Sequence, residues 1–137
     1  MIKKIRKFSN MTVLCITNNP NLISDIEEKF NDAKNLLFLN DIESLKNETK
    51  AYDILVVDYE LESSLELLIE MKTLKPMLPK IVILKESSEQ DIVDCINYGA
   101  YSILSNPVEY NDLRLSMAMA LNQSKRVDQI CLSHGLY

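Results

Sequence analysis

Short apolar runs punctuate the chain at Val13-Leu14-Cys15-Ile16, Leu36-Leu37-Phe38-Leu39, Ile54-Leu55-Val56-Val57, Ile81-Val82-Ile83-Leu84 and Tyr101-Ser102-Ile103-Leu104. Brief runs of this kind, bounded by turn-forming residues, predict β-strands. Between them, apolar residues recur at helical spacing. After the turn and helix-start signal Thr17-Asn18-Asn19-Pro20, Leu22, Ile23, Ile26 and Phe30 predict a helix over 20–33. Asp41 can cap a brief helix carrying Ile42 and Leu45. Leu61, Leu65, Leu68, Ile69 and Met71 predict a third helix, closed near Pro76 and Pro79. Ser87 or Ser88 opens a fourth, with Ile92, Val93 and Ile96 turned inward and Gly99 at its end. Asn106-Pro107 stops the last strand, and a final helix begins near Glu109.

The run Ile54–Asp58 is continuously apolar up to its aspartate, the pattern of a strand buried on both faces of a parallel sheet. Strict strand–helix alternation with short connections predicts an α/β fold, a doubly wound parallel sheet of five strands with helices on both faces. Such sheets bind ligands at the carboxyl ends of their strands, at the topological switch point. The residues of interest are therefore Thr17–Asn19, Asp58–Glu60, Lys85–Glu86 and Ser105–Asn106.

The final helix carries two apolar sides. Leu113, Met117, Ala120 and Leu121 share one and should face the sheet. Leu115, Ala118 and Met119 lie roughly opposite, which predicts a contact surface for a partner or for a second copy. Ser124, Val127 and Cys131 prolong the first stripe, so the helix should run to about Ser133 and end at Gly135. The chain thus divides into a leader (1–10), a domain (11–125) and a helical extension with its tail (126–137).

Composition narrows the chemistry. Of 137 residues, 47% are hydrophobic and 26% charged, as in ordinary globular domains. Only two glycines are present, too few for a glycine-rich phosphate loop, and no GxSxG elbow occurs. A net charge of −5 gives no general attraction for nucleic acid. The leader differs, with Lys3, Lys4, Arg6 and Lys7 interleaved with Ile2, Ile5 and Phe8. This reads as a solvated basic run, or else as a weak contact for an anionic partner. It lacks the continuous apolar stretch of a signal peptide, and no run approaches a membrane span, so a cytoplasmic location is expected. Cys15, Cys95 and Cys131 show no metal-ligand spacing and read as buried free thiols. His134 is the single histidine and has no carboxylate in an obvious motif.

Tyr52-Asp53-Ile54-Leu55-Val56-Val57-Asp58, Gly99-Ala100 followed by Leu104-Ser105-Asn106-Pro107, and Pro20-Asn21-Leu22-Ile23 together resemble the receiver domains of bacterial response regulators. The resemblance spans residues 11 to 125 and implies a flavodoxin-like fold with strand order 2-1-3-4-5. It also implies a role in two-component signalling, with a histidine kinase or a downstream effector as partner. In that family an acidic pair and an acceptor aspartate hold Mg²⁺, while a hydroxyl residue and a lysine contact the phosphoryl group. Here the acceptor position is Asp58. The acidic pair falls on Thr17 and Asn18, with Asn19 next, the hydroxyl position on Lys85 and the lysine position on Asn106. The switching aromatic falls on Ile103, with Tyr101 earlier on the same strand face. The loop after Asp58 is short and lacks the family's usual glycine.

Mg²⁺ favours carboxylate oxygens, so Thr17 and Asn18 should leave its affinity weak. Without the metal, a transferring phosphoryl group loses its main neutraliser. The expectation is a degenerate, non-enzymatic receiver without a functional cofactor, signalling through its last helix and neighbouring strand (Tyr101, Ile103, Leu115, Met119). It could pair as a homodimer through the last helix, with no nucleic-acid or membrane contact. Lys85 could replace the metal as counterion to Asp58, or turn to solvent or to Glu86 instead. The alternatives are a working phospho-receiver at Asp58 and a flavodoxin-like small-molecule binder.

Overall fold

The apolar runs become the strands of one parallel sheet in a computed structural model that describes residues 12–30, 35–45, 51–85 and 88–133, with the side chains of 35 and 123–133 excepted. The strands are β1 (Thr12–Ile16), β2 (Asn35–Leu39), β3 (Ile54–Asp58), β4 (Lys80–Leu84) and β5 (Ser102–Ser105), in the order β2-β1-β3-β4-β5. The helices are α1 (Pro20–Lys29), α2 (Ile42–Leu45), α3 (Ser64–Leu74), α4 (Glu89–Asn97) and α5 (Tyr110–Ser133). The doubly wound α/β fold and its strand order agree with the sequence reading.

Every residue of β3 is buried, as its unbroken apolar run requires. Alternate side chains of the central strands divide between two cores. Val13, Cys15, Ile54, Val56, Ile81 and Ile83 meet α1 and α5 on one face. Leu14, Ile16, Leu55, Val57, Val82 and Leu84 meet α3 and α4 on the other. Each fully buried aliphatic side chain contributes about 1.5–3 kcal/mol. At the lower end of the sheet Asp53 fastens β3 to β1, accepting from Thr12 N (2.8 Å) through Oδ2 and donating its own N–H to Thr12 O (2.9 Å).

Local signals set the helix ends. Asn19 accepts from Asn21 N and Leu22 N at the start of α1, with Pro20 at its first position. Such a cap is worth about 1 kcal/mol. Asp41 accepts from Ser44 N ahead of α2, and Ser88 rather than Ser87 caps α4. Helix α1 ends at Lys29, short of the predicted 33; residues 31–34 lie outside the described set. Gly99 takes φ +91° after α4, the left-handed turn that favours glycine.

In α3 the buried residues are Ser64, Leu67, Leu68 and Met71, while Ile69 is exposed. The inward face of α4 differs from expectation. In α4 it is Cys95 that enters the core, with Ile92 beside it, and Val93 and Ile96 are 48% and 60% exposed. Both helices carry apolar residues on more than one side, so periodicity alone does not choose the buried stripe. Helix α5 is as predicted in its first half: Leu113, Met117, Ala120 and Leu121 are buried, while Leu115 and Met119 face outward; the side chains of Ser124, Val127 and Cys131, and Gly135, lie outside the described set. Its 24 residues span about 36 Å, against roughly 17 Å for a five-residue strand.

Candidate functional site

Strand β1 lies at the switch point, with β2 on one side and β3 on the other. Its register against β3 pairs Ile16 with Val57, so the residues that follow, Thr17 just past β1 and Asp58 closing β3, stand side by side. Asp58 is almost wholly buried, 4% exposed, and both its oxygens are engaged. Thr17 Oγ1 donates to Asp58 Oδ2 at 2.6 Å, and Glu60 N donates to Oδ1 at 3.1 Å. Thr17 Oγ1 in turn accepts from Asn19 N at 3.1 Å. The chain Asn19–Thr17–Asp58–Glu60 thus closes the top of β1 and β3 with every buried polar group satisfied.

The other predicted residues stand apart. Asn18 is exposed, and the Asn19 side chain is spent on capping α1. Asn106 is half-buried, follows β5 and donates its N–H to Leu84 O at 2.7 Å; the Asn106–Pro107 peptide is cis. Lys85 does not reach Asp58. Among the described residues its ion-pair partner is Glu60, at 4.0 Å, with both side chains largely in solvent. The proposed counterion is therefore wrong, because hydrogen bonds from Thr17 and the Glu60 backbone already satisfy Asp58 and leave Lys85 free to stay hydrated. Tyr101 is 40% exposed, whereas Ile103 packs against the core on the α3–α4 face.

Beside Asp58, Tyr59, Glu60, Leu84, Lys85 and Asp91 line an open cleft of about 440 Å³. Burial and the nearby Cys95, Asp91 and Asp94 push the Tyr59 phenol up to about 12. Burial also pushes the thiols up, Cys15 to about 12 and Cys95 to about 11, the latter with help from Asp91 and Asp94 and against the Tyr59 hydroxyl. Both are inert at neutral pH. Cys131 and His134 lie outside the side chains described.

One carboxylate with both oxygens hydrogen-bonded, beside a threonine and an exposed asparagine, does not fit Mg²⁺. Among the described residues no three His, Cys, Asp or Glu side chains converge to hold a metal. Sequence reasoning overlooked Lys80, which is 1% exposed, donates to Lys75 O at 2.9 Å and has its ammonium pulled down in pKa by burial. A lysine opening an apolar run was the only signal for it. It also missed the hydroxyl of Thr17 as the group that seals Asp58.

No protein-family model matches the chain, and no curated protein matches it. Solved structures do. The signal receiver domain of an HD domain-containing protein from Pseudomonas fluorescens Pf-5 is 18% identical, with TM-score 0.79 over 94% of this chain and 97% of that one. A receiver domain protein from Clostridium thermocellum is 18% identical, with TM-score 0.75 over 85% of this chain and 98% of that one. NtrX from Brucella abortus is 22% identical, with TM-score 0.78, and 88% of this chain covers 28% of that larger protein. With strand order, switch point and an aspartate ending β3 all in place, the chain has the fold of a response-regulator receiver domain.

Proposed function

We propose that the chain is a receiver-like signalling module of two-component type, non-enzymatic, acting through protein contacts and without efficient Mg²⁺-dependent phosphorylation. The observation that carries this reading is the 2.6 Å bond from Thr17 Oγ1 to Asp58 Oδ2, made where the resemblance calls for a metal-binding acid. A hydroxyl there satisfies the acceptor carboxylate and supplies no charge for Mg²⁺. A phosphoryl group arriving at Asp58 would meet neither the metal nor a lysine in place of Asn106 to neutralise it.

Contacts then fall to the surface. Val93 and Ile96 on α4, Tyr101 before β5, and Leu115 and Met119 on α5 are exposed apolar side chains around one sheet edge. A histidine kinase, a downstream effector or a second copy of the chain would engage them. Among the described residues no helix is long and apolar enough to cross a membrane. The competing reading, a working phospho-receiver, draws on Asp58 itself, still at the end of β3.

Two-dimensional NMR with beryllofluoride or acetyl phosphate at millimolar Mg²⁺ tests the reading, with Asp58→Asn as control. Unchanged spectra are expected. Shifts around Asp58 and α5 that vanish in the control would overturn it and establish the phospho-receiver.

A further inference from the structure

Leu67, Met71 and Leu74 recur four and three residues apart, so they share one side of α3. That side turns toward α2, where Ile42, Leu45 and Tyr52 complete an apolar cavity of about 180 Å³. Leu67 and Met71 are buried, whereas Leu74 is 64% exposed. The stripe, and the cavity with it, therefore reaches the surface at the lower end of the sheet, where the strands begin. A dry apolar cavity of on the order of 150 Å³ takes one benzene ring. The volume here thus suits a single ring and excludes a nucleotide or a flavin. Its lining suits a ring as well, since Tyr52 brings an aromatic surface and Met71 a thioether, both favourable neighbours of an aromatic group.

The two rims of the cavity differ in charge. Lys75, just past the end of α3, holds its ammonium 4.4 Å from the centre of the Tyr52 ring. Among the described residues no carboxylate pairs with it. Lys80, 1% exposed, adds a second ammonium at this end, donating to Lys75 O at 2.9 Å and likewise facing no carboxylate among the described residues. At the other rim stands Glu70, which also borders the acidic opening between α2 and α3 with Glu43, Glu62 and Glu66. An anionic group is repelled there and attracted to the lysine rim.

We propose that this cavity binds a small aromatic carboxylate, with its ring among Leu45, Tyr52, Leu67 and Met71 and its carboxylate at the Lys75 ammonium. The site lies between α2 and α3, apart from the cleft beside Asp58, and does not depend on the state of that aspartate.

The probe is phenylacetate, titrated into the full ¹⁵N-labelled chain to ~10 mM, the range expected of so small a ligand. Acetate at equal concentration controls for ionic strength. Phenylacetate should give saturable shifts at the amides of Leu45, Tyr52, Met71 and Leu74 and leave those of Leu84 and Lys85 in place. Lys75→Gln should weaken it about three- to fivefold, the effect of one exposed charge pair, and leave neutral benzyl alcohol unaffected. Leu45→Trp should fill the cavity and remove the binding of both, with unmoved amides in β1 and β3 showing that the fold is kept. Absence of saturable shifts, shifts reproduced by acetate, or shifts centred on Leu84 and Lys85 would overturn the proposal. Phenethylamine binding as tightly as phenylacetate, or an equal loss of benzyl alcohol in Lys75→Gln, would overturn the assignment of a carboxylate.

Discussion

Thr17→Val tests the arrangement around Asp58 most directly. Valine keeps the β-branched shape and removes only the hydroxyl. The bond it deletes joins a donor to a buried carboxylate, a class worth about 1.5–3 kcal/mol. The same hydroxyl accepts from Asn19 N, and losing that bond adds about 0.5–1.5 kcal/mol. Asp58 Oδ2 is left buried without its donor, so the total loss should be about 2–4 kcal/mol. With a urea dependence of about 1–3 kcal/mol per molar, the unfolding midpoint should fall by on the order of 1–2 M. Combining Thr17→Val with Asp58→Leu should cost less than the sum of the single changes, because neither side then strands a polar group. A loss below about 0.5 kcal/mol for Thr17→Val, with additive singles, would refute the seal on Asp58.

Other consequences are open to equally simple measurement. Met117→Ala should cost about 2–5 kcal/mol in urea unfolding and Met119→Ala under 0.5, since the first is buried against the sheet and the second faces out. Gly99→Ala should destabilise by about 1 kcal/mol through its φ of +91°, not through contact, because a Cβ there meets only Lys72 Cγ at 4.0 Å. Ser63, held at φ 69° with no side-chain cap bond, should show the reverse, Ser63→Gly stabilising by about 1 kcal/mol. Stability should decline above pH 9. The folded Cys15 and Cys95 thiols, at about 12 and about 11, retain protons that the unfolded chain releases from 9.0. Each contributes a loss of about 1.4 kcal/mol per pH unit. Lys80, lowered from 10.5 by burial, binds more protons unfolded and offsets part of this as pH rises toward 10.5. Cys15→Val should therefore flatten the decline measured by urea unfolding from pH 8 to 10.5.

The central strands were legible because burial on both faces leaves no room for polar interruption, as Ile54–Val57 of β3 show. The end of α4 was legible from Gly99 alone, since only a few residues tolerate its backbone. The inward face of α4 was legible only in part: Ile92 packs on the core as expected, but Val93 and Ile96 outweigh Cys95 in hydrophobicity and yet the sheet takes the cysteine, a small side chain that lets the helix approach. At the site, the missing acids could be read directly from Thr17 and Asn18. What replaced them could not, because Thr17 meets Asp58 across 41 positions of sequence, through a register that only the folded sheet defines. The same holds for Lys85, which lies 4.0 Å from Glu60 in solvent and not against Asp58, a placement set by the folded loop after β3.

Helix α5 extends well past Leu121, the last core residue among those described, to Ser133. Leu113, Met117 and Leu121 stand about one turn apart, so α5 meets the sheet along about 12 Å of its axis, a line of contact and not a single point. A line fixes direction as well as position. Leu115 and Met119 ride on the same backbone, so any shift of the buried stripe along the sheet is carried undiminished to the face that meets solvent.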